Sequence, residues 1–408
     1  MPPVLGRQFG WLWAAYAVST AGTWLAFDAF PLIAILVLDA GPAAVSLLAA
    51  AGMAVAALLA IPLGPWVEFR RKRGVMIAMD LLRFAALMTV PAAYWLGWLT
   101  FGQLLVVAVV VGACDIAFRA ASGACLKALV PPEGLLLANA RFESTTWTAT
   151  ALGPPLGGAL IGIFGPLVTV VINAVSFVLS ALGIRAIGGD EPRPVVTQSA
   201  RGGLLEGWRF IFANATLRAL FLNTVVVSAL IMATAPLLAV LMLGELGFAP
   251  WQYALAFGAP CVGGLVGARL SRRAVDRFGT HRVLLVAGTL RACWSVGLAF
   301  VSAGVGGLAL VIALQFGLVA SMGVFNPVLA THRLAATPSD RVARVLAAWN
   351  VTNNAARAGL TALWGLLAAL LGLRAAIALA GVLLLATPLL LPFSAASLRR
   401  RSPARQAA

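Results

Sequence analysis

The stretch GPWVEFRRKRGVMIAMDLLR, from Gly64 to Arg83, places four consecutive basic residues directly before an apolar run. A basic cluster marks an aqueous boundary, and the apolar run that follows is long enough to enter a bilayer. Within it, Asp80 and Arg83 are three residues apart and so share one face of a helix. A second stretch, VDRFGTHRVLLVAGTLR from Val275 to Arg291, repeats this order. The two stretches predict one helical element used twice.

The composition excludes a water-soluble protein. Of 408 residues, 62% are hydrophobic and 10% are charged, whereas soluble domains carry about 25% charged residues. The net charge of +16 does not indicate nucleic-acid binding, because most of the basic residues map to one side of the predicted membrane spans. There is no phosphate-binding loop, the two histidines are far apart, and all four cysteines lie in apolar runs. We therefore expect no enzyme activity, catalytic residue, metal, cofactor or nucleic-acid partner.

Apolar runs of spanning length predict an all-α membrane protein with twelve transmembrane helices. A β-barrel is excluded because its strands are short and alternating. The predicted spans are 11–38, 43–63, 74–99, 101–126, 138–163, 166–187, 217–243, 250–270, 282–303, 306–330, 344–371 and 373–393.

The basic residues predict the orientation of these spans. Most of them lie at the two termini and in the connections that follow even-numbered spans, which all face one side of the membrane. By the positive-inside rule that side is the cytoplasm. The abundance of Ala, Gly, Leu and Arg suits a bacterial genome of high GC content. We therefore expect a monomer in the bacterial inner membrane, with the N- and C-termini in the cytoplasm and the lipid bilayer as its surroundings.

An internal repeat predicts two six-helix bundles with pseudo-two-fold symmetry. Four pairs of residues recur at a separation of 208: Pro42 and Pro250, Glu68 and Asp276, Val75 and Val283, Arg83 and Arg291. Such periodic matches at equivalent topological positions indicate duplication. The predicted domains are 1–187, a cytoplasmic linker over 188–216, and 217–408 with a short basic tail. Within the linker, Gly202 to Phe212 is predicted to form a short amphipathic helix.

Several motifs resemble the major facilitator superfamily, in its branch of twelve-span exporters of drugs, macrolides and siderophores. The family's loop signature G-x-x-x-D-R-x-G-R-R is matched in part from Gly64 to Arg73, with Glu68 in place of Asp, and in part from Val275 to Arg282. The resemblance extends to span three (Asp80 to Arg83), span four (Asp115 to Gly123) and the exporter motif of span five, Gly153, Pro154, Gly157 and Gly158. It implies the major facilitator fold and drug–proton antiport.

Charged residues near the cytoplasmic ends of the spans form a predicted gate. A carboxylate there can pair with arginine in one state of the transporter and release it in the other. The alternatives are that these charges only set topology and that Asp80 and Arg83 form a structural network. The predicted gate comprises Gly64, Glu68, Arg70, Lys72, Arg73, Asp80, Arg83, Asp276, Arg277, Gly279, Arg282 and Arg291.

Three residues inside the spans are predicted to couple transport to protons. Asp28 lies about 25 Å along span one, close to Pro31, and an acid inside a membrane is a functional candidate by default. Pro31 removes a hydrogen bond to the Phe27 carbonyl, which predicts a kink beside the acid. Asp115 and Arg119 are four residues apart on one helical face, so they can pair. The alternatives are a solvated Asp28 at the outer interface and a purely structural Asp115–Arg119 pair.

A substrate cavity is predicted from polar and aromatic side chains inside the spans. Arg357 shares a helical face with Asn350 and Asn354 and needs a partner, a water-filled cavity or an anionic substrate group. Aromatic side chains could line this cavity for a bulky lipophilic substrate, but they are equally typical of ordinary lipid-facing positions. The predicted cavity residues are Trp24, Phe27, Phe30, Trp147, Gln315, Asn326, Asn350, Asn354 and Arg357.

These features predict a secondary active transporter. The expected activity is proton-coupled export of a lipophilic or amphipathic small molecule, such as a drug, an antibiotic or a siderophore, by rocking of the two bundles in alternating access. One alternative is an importer or facilitator of a metabolite with the same fold. Another is a membrane scaffold or receptor that transports nothing.

Overall fold

The computed structural model describes residues 5–27, 29–38, 67, 70–188 and 205–392, and within them the chain is helical without strands. The all-α fold class is therefore confirmed. The helices of the first half are α1 (Gly6–Leu25), α2 (Ala29–Leu36), α3 (Lys72–Trp95), α4 (Phe101–Leu129), α5 (Leu135–Phe164) and α6 (Pro166–Arg185).

The second half begins with a short helix, α7, which overlaps the stretch predicted to form an amphipathic helix. The helices are α7 (Glu206–Ala213), α8 (Ala215–Val240), α9 (Pro250–Gly258), α10 (Cys261–Phe278), α11 (Thr280–Cys293), α12 (Val305–Ala336), α13 (Val342–Leu371) and α14 (Leu373–Ala386). A π-helical turn, Leu241–Glu245, extends α8, and 3-10 turns lie at Pro132–Gly134, Ser295–Phe300 and Thr387–Leu390.

Nine helical stretches within the described ranges are long and apolar enough to cross a membrane. The predicted span 43–63 lies outside the described residues. The predicted span 138–163 forms α5, whose first half carries Arg141, Glu143 and a run of Ser and Thr that lowers its hydropathy. The predicted span 250–270 is divided between α9 and α10 at Ala259 and Pro260. Pro260 has no amide hydrogen to continue the helix.

The chain divides into two compact units. The first contains the described residues of Met1–Gly207 and Thr337–Ala358. Its apolar core joins α2, α3, α4 and α6 through buried side chains such as Ile33, Leu87 and Phe177. Helix α13 is therefore divided between the two units: its first part, up to Ala358, belongs to the first unit.

The second unit contains the described residues of Trp208–Ala336 and Gly359–Ala408. Its core brings together Leu237 of α8, Val311 of α12 and Ile377 of α14. Trp364 of α13 is buried in the same cluster and donates its indole N–H to the Ala376 carbonyl at 3.0 Å. A buried indole with a satisfied donor suits a well-packed core. The predicted domain boundaries at 187 and 216 remain a prediction.

Candidate functional site

The candidate site is centred on a buried ion pair of α3. Arg83 donates from Nη2 to Oδ1 of Asp80 at 2.5 Å, and the two side chains are 4% and 0% exposed. The guanidinium carbon lies 4.6 Å from the ring centroid of Phe118 on α4 and 4.1 Å from that of Phe177 on α6. Ring faces attract a cation and shield it from water. Arg83 is thus fixed by one carboxylate and two aromatic rings.

A second acid extends this pair onto α4. Arg83 Nη1 lies 3.6 Å from Asp115 Oδ1, and Arg119 donates from Nε to Asp115 Oδ2 at 2.6 Å. Asp115 is 38% exposed and Arg119 is 57% exposed. Asp80, Arg83, Asp115 and Arg119 therefore form a chain of alternating charges, named here the charge chain. It runs from a fully buried acid to an exposed arginine.

The exposed end of the charge chain meets α1 and the first part of α13. Arg119 is within Coulombic range of the Tyr16 hydroxyl and of Arg357, which is itself exposed. Arg119 and Arg357 bring two cationic groups to this end of the charge chain. Such a place suits a negatively charged group or water. Asn350 and Asn354, on the same helix as Arg357, are half-buried.

The second unit buries an arginine of its own at the position 208 residues after Arg83. Arg291 is 2% exposed, donates from Nη2 to Oδ1 of Asn223, and lies 3.6 Å from the ring centroid of Phe325. Asn223 in turn donates from Nδ2 to the Thr387 carbonyl at 2.8 Å. Within the described part of the chain, Arg291 forms no ion pair. This cation is held by an amide and a ring.

The basic residues of the predicted gate bind backbone carbonyls. Lys72 donates from Nζ to the carbonyls of Val67 and Arg70, at 2.9 and 3.0 Å. Arg73 donates from Nη1 to the Ile187 carbonyl at 2.9 Å, just after the C-terminus of α6. A cation there is stabilised by the helix dipole. Gly64 and Glu68 lie outside the described residues.

The second copy of the gate is more exposed. Asp276 lies 3.7 Å from Arg272 of the same helix and is 66% exposed. The Arg277 guanidinium lies over the ring of Phe278, and Arg282 is exposed. Gly279 has φ +79° and separates α10 from α11. Because that conformation strains any residue with a Cβ, glycine is needed at this turn.

Two glycines of the span-five motif allow α5 to approach α1 closely. A Cβ on Gly153 would lie 2.4 Å from Trp24 Cβ, and one on Gly157 would lie 2.0 Å from the Leu25 carbonyl oxygen. Gly158 faces open space, and Pro154 lies within the continuous helix α5. The contact is made where α1 ends at Leu25, before α2 begins at Ala29.

The predicted aromatic residues divide among different contacts. Trp24 and Phe27 stack with ring centroids 5.3 Å apart, and Phe27 is 59% exposed. Phe30 packs against the core of the first unit. Trp147 donates its indole N–H to Oε1 of Glu143 at 2.9 Å. Asp28, between the two stretches of span one, lies outside the described residues.

Gln315 and Asn326, the remaining predicted cavity residues, are half-buried on α12.

Glu206 is the main residue that sequence reasoning missed. Its carboxylate, at the start of α7, forms an ion pair with Arg344 and lies 3.3 Å from Arg341 Nε. Gly207 packs against the Arg344 carbonyl, and Lys127 donates to the Thr337 carbonyl. These contacts, named here the Glu206 clamp, fasten the start of α13 within the first unit. The sequence predicted only an amphipathic surface helix here, because the partner Arg344 is 138 residues away.

Glu143 was missed for a different reason. It lies inside the predicted span 138–163, so the rule that singled out Asp28 applies to it equally. Its neighbours Thr145 and Thr146 bond to Trp13 and Tyr16 of α1, at 3.0 and 2.8 Å. The first half of α5 is thus joined to α1 by polar contacts.

A helical bundle with apolar exposed surfaces and buried ion pairs defines a polytopic membrane protein. The model of the Major Facilitator Superfamily matches residues 12–358, and the chain belongs to this family. Membership makes it a membrane transporter rather than an enzyme, as the sequence predicted.

Two curated relatives are named as multidrug efflux pump Tap. That of Mycolicibacterium fortuitum is 25% identical over 238 residues, covering 56% of this chain and 57% of the relative. That of Mycobacterium tuberculosis is 30% identical over 218 residues, covering 50% and 51%. The chain thus spans about half the length of the curated relatives it matches.

Solved structures share the fold at low identity. A bacterial homologue of the iron transporter ferroportin, in an outward-facing state, aligns with a TM-score of 0.80 at 16% identity, covering 94% of this chain and 98% of that one. The human organic anion transporter MFSD10 aligns with a TM-score of 0.75 at 16% identity, covering 96% and 100%. These similarities establish the major facilitator fold.

Proposed function

We propose that the chain is a proton-coupled exporter of lipophilic or amphipathic small molecules. The charge chain is the observation that carries this proposal, because it places two acids and two arginines inside membrane spans. Ionisable groups there are costly and are kept for function. The names of the Tap relatives support export of drug-like compounds.

The proposed coupling uses the exposed half of the charge chain. Asp115 holds Arg119 through its Oδ2 at 2.6 Å. Uptake of a proton by Asp115 removes its negative charge and with it most of the attraction to Arg119. Arg119 is then free to attract a negatively charged or polar group of a substrate. Proton binding and substrate binding are thereby linked through one pair of side chains.

The remaining predicted residues keep their proposed roles. Asp28 is a second proton-linked acid, and the predicted aromatic and polar side chains line the substrate path. The gate residues favour one state of an alternating-access cycle. We place the chain in a bacterial inner membrane as a monomer, with both termini in the cytoplasm, because the basic clusters lie on one side.

The test is substrate-driven proton movement in proteoliposomes. A compound is first chosen by growth inhibition, from lipophilic antibiotics tested on cells with and without the chain. The purified protein is then reconstituted with a pH-sensitive dye inside the vesicles. Adding that compound to the wild type is expected to move protons, and Asp115→Asn to reduce the flux about tenfold or more.

Glu133→Gln is the matched control, since it removes an exposed carboxylate of the 3-10 turn after α4. It should leave proton movement as in the wild type. Wild-type protein that transports the compound without moving protons would contradict the proposed coupling. Counterflow that ignores an imposed proton gradient would favour the alternative of a metabolite importer or facilitator.

A further inference from the structure

Asp80 sits at the buried end of the charge chain with half of its carboxylate unsatisfied. Its Oδ1 accepts from Arg83, while its Oδ2 is buried and has no hydrogen-bond partner. An ionised carboxylate oxygen left bare in the interior of a protein is costly, more so than a neutral hydroxyl in the same place. A proton on this oxygen would remove that cost.

The surroundings of Asp80 come from three helices. Arg83 is on its own helix, α3, while Cys114 and Asp115 face it from α4 and Ser180 faces it from α6. Arg83 is the nearest cation and is shared with Asp115, which it reaches at 3.6 Å. An arginine between two acids can form its hydrogen bond with whichever acid is ionised.

We propose that Asp80 binds the transported proton and that Arg83, by changing its hydrogen-bond partner, transmits the change in charge to Asp115. This inference rests on the proton coupling proposed above and deepens it by placing the first proton on Asp80, at a stage when Asp115 is still ionised. When Oδ2 takes a proton from a hydronium ion, water is released and Asp80 becomes neutral. Arg83 then moves its hydrogen bond to Asp115. The charge chain goes from neutral to a net charge of plus one.

The consequence of that shift appears at the exposed end of the chain. Asp115 is then the one ionised acid of the charge chain and is shared by two arginines, Arg83 at Oδ1 and Arg119 at Oδ2, so its attraction to Arg119 is weakened. Arg119 is loosened and becomes available to a substrate. Loss of the proton from Asp80 to water on the other side of the membrane reverses each step. Asp80 is thus the loading site, and Asp115 passes on its state.

The second unit indicates that an amide can hold a buried arginine in this fold. Arg291 is bonded to Asn223 and not to an acid. Asp80→Asn would give Arg83 a partner of the same kind, with nearly the same shape as the protonated acid. We therefore expect this variant to fold and to remain fixed in the proton-loaded state.

Infrared titration of the purified protein tests proton binding without any substrate. A protonated carboxyl group gives a C=O band that is absent from the carboxylate. In the wild type we expect one such buried band to appear as the pH falls. Asp80→Asn should remove it, Asp80→Glu should restore it at a shifted frequency, and the control Glu133→Gln should leave it unchanged.

Transport of the chosen antibiotic in the same variants tests the switch. For Asp80→Asn we expect uphill transport to fall about tenfold or more, while exchange of antibiotic across the membrane continues but no longer varies with pH. The proposal is overturned if the infrared band survives in Asp80→Asn, or if that variant keeps uphill transport. If wild-type transport moves no protons but the band is lost in Asp80→Asn, the proposed coupling fails while the proton site stands.

Discussion

Arg83 in the first unit and Arg291 in the second occupy matching positions of the repeat and are both buried, yet they have different partners. Arg83 is bonded to Asp80 and lies near Asp115. Arg291 is bonded to Asn223. The residues 208 positions after Asp80 and Asp115 are Gly288 and Gly323. At the matching positions, the second unit therefore has the arginine but neither acid.

Packing explains why the acids are absent from the second unit. A Cβ on Gly288 would lie 2.9 Å from Leu391 Cδ1, and one on Gly323 would lie 2.3 Å from the Gly264 carbonyl oxygen. Neither position has room for a carboxylate. The helices of this unit approach each other closely at these two glycines, and Arg291 is bonded to the neutral amide of Asn223. The proposed proton chemistry therefore involves the first unit, whereas the second unit holds a buried cation bonded to an amide.

Replacing each arginine in turn is expected to give the largest changes in the free energy of unfolding. Arg83→Met leaves two carboxylates without their shared cation, and we expect it to lower the free energy of unfolding by about 3–5 kcal/mol. Arg291→Met removes a cation that has no acid and leaves only the Asn223 amide oxygen unsatisfied, so the expected loss is about 1–3 kcal/mol. Denaturant titration in detergent measures both. Equal losses would mean that its two acid partners do not make Arg83 more costly to remove than Arg291.

Changing the amide is expected to have an intermediate effect. Asn223→Leu leaves the buried Arg291 without its hydrogen-bond acceptor, at a cost of about 3 kcal/mol in the free energy of unfolding. Asn223→Asp keeps the acceptor and adds a negative charge, so it should lose less. The same titration in detergent compares the two variants. If leucine is tolerated as well as aspartate, the Phe325 ring alone holds the arginine.

The smallest effect is expected at the exposed ion pair of the second unit. Asp276 and Arg272 lie 3.7 Å apart at the surface of α10, where water screens the attraction. Asp276→Asn should change the free energy of unfolding by less than about 1 kcal/mol. A loss as large as that of Arg83→Met would show that burial is not what distinguishes these sites.

Local spacing predicted the helices and the pairs within them. Asp80 and Arg83 at a separation of three, and Asp115 and Arg119 at a separation of four, are ion pairs in the structure as the helical period requires. The sequence assigned the first pair to a gate and the second to proton coupling. The 3.6 Å contact between Arg83 and Asp115 joins them, and it depends on the packing of α3 against α4. No spacing along one helix contains that information.

Long-range partners were likewise beyond the sequence. Asn223 is an uncharged residue in an apolar run, and only the fold brings it to Arg291. Pro260 is the sequence feature that indicates the division of span eight. The place of Thr337–Ala358 in the first unit depends on contacts such as that of Glu206 with Arg344, for which helical periodicity gives no sign.

The Glu206 clamp bears on how this protein could be divided into fragments. A cut in the stretch before α7 would look natural, because it falls between six spans and six more. Such a cut would leave Arg344 on one fragment together with Glu206, but would strip the first unit of the segment Thr337–Ala358 that completes it. The amino-terminal fragment would therefore be incomplete, and its folding would depend on a segment that is synthesised only after helices α8 to α12.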